Sequence, residues 1–362
     1  MNRFTIAFMG IVLLVVLAAT AQAVTISHGS TTIDMDFVTV GNTDNVNDTH
    51  GDGYGAVDYI YNIGKYEVSE NQWDAVCAAS ATDLLDDPGY WSGDQAVAHI
   101  SWNEAAMFCN WLTSGDVTDG AYTIDGSGVV TAIDRDSAIS THGTVYVIPT
   151  EDEWYKAAYY DGDAGVYYDY PTGSNTKPDG IDFSEDPEFD AVFADFYDQG
   201  QPNDVDNAGA LLSPYGTMGQ GGNVWEWNET GTGSSRGTRG ASWRDDAISL
   251  AASTRGDDLL SAYEHYILGF RVASVPEPGD ATGDGKVDVS DLGVLASNYG
   301  TTSGAEWDEG DFTGEGAVDV SDLGVLASHY GFGTTVASVP EPNTIILLLC
   351  GIATLLCWRR RK

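Results

Sequence analysis

Two stretches towards the C-terminal end carry the residue spacing best suited to chemistry. Gly279-Asp280-Ala281-Thr282-Gly283-Asp284-Gly285-Lys286-Val287-Asp288-Val289-Ser290-Asp291-Leu292 recurs 31 residues later as Gly310-Asp311-Phe312-Thr313-Gly314-Glu315-Gly316-Ala317-Val318-Asp319-Val320-Ser321-Asp322-Leu323. A calcium loop needs oxygen ligands at positions 1, 3, 5, 7, 9 and 12 and glycine at 6 for a sharp turn, because this hard cation takes six to eight oxygens at about 2.3–2.6 Å. The first stretch offers Asp280, Thr282, Asp284, the Lys286 carbonyl, Asp288 and Asp291. The second offers Asp311, Thr313, Glu315, the Ala317 carbonyl, Asp319 and Asp322, and Gly285 and Gly316 hold the turns. Threonine at position 3 of both loops and the longer Glu315 in the second weaken the ligand set. After each loop a Leu-x-x-Leu spacing (Leu292, Leu295; Leu323, Leu326) predicts a short helix, stopped by Gly300 or Gly331. A unit of about 55 residues buries little core by itself. Calcium would supply the missing folding energy, since the unfolded chain has no site for it.

Other constellations are sparse. His28, His50, His99, His142, His265 and His329 are not spaced as metal ligands to one another, and no Gly-x-Ser-x-Gly elbow is present. Cys350 and Cys357 lie in the C-terminal tail, which leaves Cys77 and Cys109 in the body. One disulfide and two buried thiols are equal readings, because both residues fall on apolar helical faces.

Three capping boxes announce the helices that frame the larger part of the chain. They are Ser69-x-x-Gln72, Ser101-x-x-Glu104 and Thr150-x-x-Glu153, each followed by apolar residues at helical spacing such as Trp73 and Val76, Trp102 and Cys109, or Trp154 and Ala158. Val145-Tyr146-Val147-Ile148 reads as a short strand. The rest is rich in Gly, Asp and Tyr, which predicts a loop-rich α+β domain over residues 24–274. Trp225, Trp227 and Trp243 are expected in its core. Tyr159, Tyr160, Tyr167 and Tyr168, in a Gly/Asp-rich segment, are the candidates for a binding surface.

Six motifs then carry a resemblance over roughly 200 residues: Tyr66-Glu67-Val68-Ser69; Ile100-Ser101-Trp102-Asn103-Glu104-Ala105 running into Phe108-Cys109-Asn110-Trp111-Leu112; Ile148-Pro149-Thr150-Glu151-Asp152-Glu153-Trp154; Gly222-Asn223-Val224-Trp225-Glu226-Trp227; Arg239-Gly240-Ala241-Ser242-Trp243; and Gly269-Phe270-Arg271-Val272. In order and wording these resemble the formylglycine-generating enzyme (sulfatase-modifying factor) family, whose loop-rich fold is related to the C-type lectin fold. The resemblance implies a pair of cysteines that bind copper and oxidise a substrate cysteine. Arg244 to Leu268 contains no cysteine, and the two positions fall near Asp245 and Leu250. Cuprous copper favours thiolates, so copper is not expected. The resemblance also implies structural calcium held by Glu226 and the Gly222 and Val224 carbonyls. The family's further Asp or Asn ligand falls on Gly219, and the alternative is that Glu226 pairs with Arg239 or Arg271. The two loop-and-helix repeats, residues 279–335, resemble a dockerin type I module, which in that family docks onto cohesins.

The ends read as addresses. Arg3, the apolar run Thr5 to Leu17 and Ala21-Gln22-Ala23 predict a signal peptide over residues 1–23. Val272-Ala273-Ser274-Val275-Pro276-Glu277-Pro278 recurs 64 residues on as Val336-Ala337-Ser338-Val339-Pro340-Glu341-Pro342, before the apolar run Ile345 to Trp358 and Arg359-Arg360-Arg361-Lys362. The offset suggests a module inserted between a domain and its tail. The tail, residues 336–362, is similar to the PEP-CTERM sorting signal, which implies an exosortase-type protease, a transient inner-membrane anchor and an exopolysaccharide-rich destination. Five of the 15 lysines and arginines lie in the two ends, leaving ten against 55 acids. Such a field repels nucleic acid and anionic lipid and attracts divalent cations.

These readings lead to an expected function: an exported cell-surface or matrix protein whose large domain binds a polymer or protein without catalysis. The alternatives are a working oxidase of sulfatase cysteines with an unrecognised site, and a cohesin-docking component of a polysaccharide-degrading assembly.

Overall fold

A computed structural model describes residues 21–332, apart from 44, 50–52, 81, 83, 87, 187, 257, 276, 283–285 and 306. The expected signal core and the sorting tail lie outside the described residues. Among the described residues no helix is long and apolar enough to cross a membrane.

A five-stranded sheet organises the first 275 residues. Strands β1 (Gln22–His28) and β2 (Thr31–Val40) form a hairpin; β3 (Tyr61–Gly64) follows. Three short strands lie further along, β4 (Tyr122–Ile124), β5 (Val130–Ile133) and β6 (Val145–Val147). The order is β1-β2-β3-β14-β6, where β14 is Ala273–Val275, and every pairing is antiparallel. Alternation sets the face: Ile33, Met35 and Phe37 are buried while Asp34 between them is exposed. The first copy of the repeated heptapeptide therefore supplies a central strand. The second copy lies outside the described residues.

Helices cover the sheet. The three capping boxes form as written, on α1 (Glu70–Ala79), α2 (Trp102–Ser114) and, after the short α3 (Arg135–His142), on α4 (Glu151–Tyr159). Trp73 of α1 stacks on Phe108 of α2 at 5.5 Å, and both meet Phe270 edge-on. Strands β7 (Tyr160–Asp161) and β8 (Val166–Tyr167) fold back onto α4. A second small sheet is built from β9 (Trp225–Trp227), β11 (Thr238–Arg239) and β13 (Leu268–Gly269) in the order β11-β9-β13. Beside it, β10 (Ser235–Arg236) pairs with β12 (Leu259–Leu260). The result is a mixed, loop-rich α and β fold.

Beyond β14 come two helices of identical length, α5 (Val289–Asn298) and α6 (Val320–His329). Asp288 and Asp319 cap them, each in a capping box closed by Asp291 or Asp322. Their shared core includes Val287, Leu292, Leu295, Phe312, Val318 and Leu326.

Candidate functional site

The acids of the six motifs are fixed by arginines in the interior. Arg271 donates from Nε and Nη2 to the two oxygens of Glu226 at 2.7 and 2.8 Å, and Trp154 Nε1 donates to the same carboxylate at 2.8 Å. All three side chains are fully buried. Arg239 and Arg255 converge on Glu151, and Arg135 reaches Glu153 at 2.8 Å. Burial alone would push the Glu153 carboxyl up, but Arg135 and its hydrogen bonds hold it below the usual range. These motifs are structural joints. Glu151, Glu153 and Glu226 sit there because an ionised carboxylate is costly to bury without a paired cation.

At Glu226 the structure shows the pairing with Arg271, one of the two readings the sequence left open. The carboxylate oxygens are occupied by Arg271 and Trp154, Gly219 has no side-chain ligand to offer, and Glu67 Oε2 would lie 2.6 Å from a Cβ added there. The Glu226 carboxylate is thus satisfied by a guanidinium and an indole N–H.

The positions expected to hold the copper thiols are also filled. Leu250 is fully buried beside Ala191, Phe193 and Ala241. Asp245 accepts from Trp225 Nε1 at 2.9 Å and from the Ser242 peptide N–H at 3.0 Å. Neither supplies the soft sulfur that copper needs. Cys109 is buried, with its thiol pushed well up by desolvation, so it stays protonated. No disulfide joins Cys77 to Cys109.

Next to these positions an open cavity of about 390 Å³ lies between the two small sheets. Trp225, Leu259, Tyr263, His265 and Leu268 line it, with Arg255 at the rim. Tyr263 is 43% exposed and stacks nearly parallel to His265, which stacks in turn on Tyr266 at 4.4 Å. Burial, then Arg244 and His99, lower the His265 pKa, which favours the neutral ring. The wall thus combines three aromatic rings with Thr238 and Arg255, an arrangement able to stack on a ring-shaped ligand and hydrogen-bond it.

Two sequence expectations change here. Trp227 and Trp243 are core, but Trp225 is only partly buried and faces the cavity. Conversely, Tyr159, Tyr160 and Tyr167 are buried: Tyr159 and Tyr167 pack against Tyr155 of α4, and Tyr160 packs on Tyr167 across the β7–β8 pair. Tyr168 alone of that cluster is partly exposed. The cavity residues Tyr263 and His265 were missed. Their signal was the run Tyr263-Glu264-His265-Tyr266 in an otherwise Gly/Asp-rich segment.

The repeat loops gather carboxylates. In the second, Glu315, Asp319 and Asp322 place ligand oxygens within 4.8 Å of one another. Asp311 and Asp322 are buried; Thr313 donates to both, at 3.3 and 3.0 Å. The Ala317 position is partly exposed beside them. In the first loop, Asp280 and Asp291 are fully buried and Thr282 donates to each, while Lys286 and Asp288 are partly exposed. Asp284 and Gly285 lie outside the described residues. Four acids in the second loop, with no lysine or arginine between Lys286 and Arg359, fit a divalent cation.

Comparison with known proteins places this geometry. Nothing among curated proteins matches the chain. Among solved structures, variable protein 1 of Treponema denticola is similar at 21% identity, covering 71% of this chain and 100% of that one, with a TM-score of 0.47. CarF is similar at 20% identity, covering 66% of this chain and 97% of its own, with a TM-score of 0.46. PvdO from Pseudomonas aeruginosa is similar at 15% identity over 70% of this chain and 97% of its own, with a TM-score of 0.43. The model of the sulfatase-modifying factor enzyme 1-like domain matches residues 17–275, most of the chain, and so the chain belongs to that family.

Proposed function

We propose that this member of the family is an exported surface or matrix protein that binds a ligand through its large domain and does not oxidise cysteine. The observation that carries the reading is the pair Asp245 and Leu250. A buried leucine and a carboxylate committed to Trp225 and Ser242 stand where the resemblance puts the copper thiols. The adjoining cavity stays open and aromatic, which is what a binding module keeps when the chemistry is lost. Extracellular polysaccharide is the ligand class that suits it, since sugar rings stack on Trp and Tyr faces. Calcium is proposed to fill the two repeat loops as in dockerin modules. The tail is proposed to anchor the chain until an exosortase-type protease acts.

The test pairs two assays on the purified protein. Retention on immobilised exopolysaccharide should fall about tenfold in Tyr263→Ala, the loss of one stacking ring. Copper should not bind stoichiometrically, and a cysteine-containing sulfatase peptide should remain unconverted. Conversion of the peptide would overturn the reading in favour of an active oxidase.

A further inference from the structure

We infer that the second repeat is an intramolecular docking surface. Calcium in its loop closes it onto the large domain, and that closure buries Glu277 of the first Pro-Glu-Pro. The inference rests on the calcium reading of the loops given above.

The second repeat makes contacts across the junction at both of its ends. Its loop presents Gly314 to the large domain so closely that an added Cβ would sit 2.9 Å from Ile60 Cδ1 and 3.3 Å from Thr43 Cγ2. Thr43 Oγ1 donates to the Thr313 carbonyl at 3.4 Å. At the far end of α6, His329 Nδ1 lies 2.8 Å from Glu277 Oε1. Glu277 is only 4% exposed, an unusual burial for a glutamate in a Pro-Glu-Pro linker. In the first repeat, Val287 bonds to Phe332 and Gly331, and Trp307 Nε1 donates to the Asp280 carbonyl.

The metal would govern this contact because loop and helix are one piece. Asp319 caps α6 and Asp322 closes its capping box, and both belong to the ligand set. Without a cation, Glu315, Asp319 and Asp322 repel one another at close range. Opening the loop withdraws Gly314 from Ile60 and loosens the start of α6, so His329 leaves Glu277. By linkage, docking on Ile60 and Thr43 tightens calcium in the second loop by the same factor that calcium tightens docking. Glu277 is thereby hidden in the calcium-loaded protein, while the second Pro-Glu-Pro at 340–342 lies beyond the module in sequence.

The experiment digests the whole chain with a glutamate-specific endoprotease, in calcium and in chelator, and quantifies the cut after Glu277 by mass spectrometry. Calcium should slow that cut at least about tenfold, as expected when cleavage needs local opening. Ile60→Ser, a change in the large domain at a residue that is itself no ligand, should restore cleavage in calcium and weaken one of the calorimetrically measured calcium sites. Should that variant fail to fold, His329→Ala probes the other end and should restore the cut alone. Calcium binding with an unchanged rate of cutting at Glu277 would overturn the inference and leave the calcium reading intact. Absence of calcium binding would remove both.

Discussion

At the scale of single residues, the least expected group is Glu67. It is buried, accepts from Asn223 Nδ2 at 2.7 Å and from the Val224 peptide N–H at 3.2 Å, and shares Arg271's neighbourhood with Glu226. Desolvation first, and the Glu226 charge second, raise its carboxyl well above the usual range, against the pull of Arg271. The folded protein therefore holds a proton that the unfolded chain releases near the ordinary glutamate pKa of about 4.3. Stability from this group is complete below that value and is lost as pH rises through the raised one. Melting measured from about pH 5 to 9 should show Tm falling with pH, and Glu67→Gln should flatten the slope. The amide in that variant turns a donor towards Asn223, which lowers stability by about 1 kcal/mol at acid pH. The motif Tyr66-Glu67-Val68-Ser69 marked this position in the sequence. Its protonation depends on Glu226, 159 positions away, so only the packed structure could show it.

At the scale of elements, caps and turns govern. Thr150 accepts from the Glu153 peptide N–H, and Glu153 reaches back to the Thr150 N–H at 2.6 Å while also holding Arg135. Thr150→Ala should cost about 1–2 kcal/mol in chemical denaturation, at the upper end for a cap because the buried pair loses its alignment as well. Gly222 is more demanding. Its φ is 91°, and an added Cβ would lie 2.1 Å from the Val192 carbonyl. Gly222→Ala should cost roughly 3 kcal/mol, since β9 and the loop bearing Val192 must move apart. The capping boxes of α1, α2 and α4 were legible in the sequence, because a capping box is a local bargain between residues three apart, whereas those closed by Asp on α5 and α6 were not read as caps. The long β1–β2 hairpin, α3 and the small sheets were not read from the sequence. Strands of two or three residues owe their existence to partners far along the chain.

At the scale of the whole molecule, the large domain and the paired helices have separate cores, joined through Glu277 and the second loop. Calorimetric titration of calcium into the chelator-stripped chain, beside a chain ending at Val275, should show two additional sites in the longer one. Equal stoichiometry would make the repeat loops a spacer. With 55 acids against 15 lysines and arginines, the chain should also stay soluble over a wide range of salt and show no salt-dependent retention on DNA.

Sequence by itself determined the family of the large domain, its three principal helices and the duplicated acid loops. Each is written in residues close together, where spacing alone sets geometry. Tertiary structure decided what those residues do. It gave Glu226 to Arg271, sent Tyr159, Tyr160 and Tyr167 into the core, turned Trp225 to a cavity with Tyr263 and His265, and made Ala273–Val275 an inner strand. The reason is physical: a carboxylate's partner and a ring's exposure are fixed by whatever packs against them, and those neighbours lie tens to hundreds of residues away.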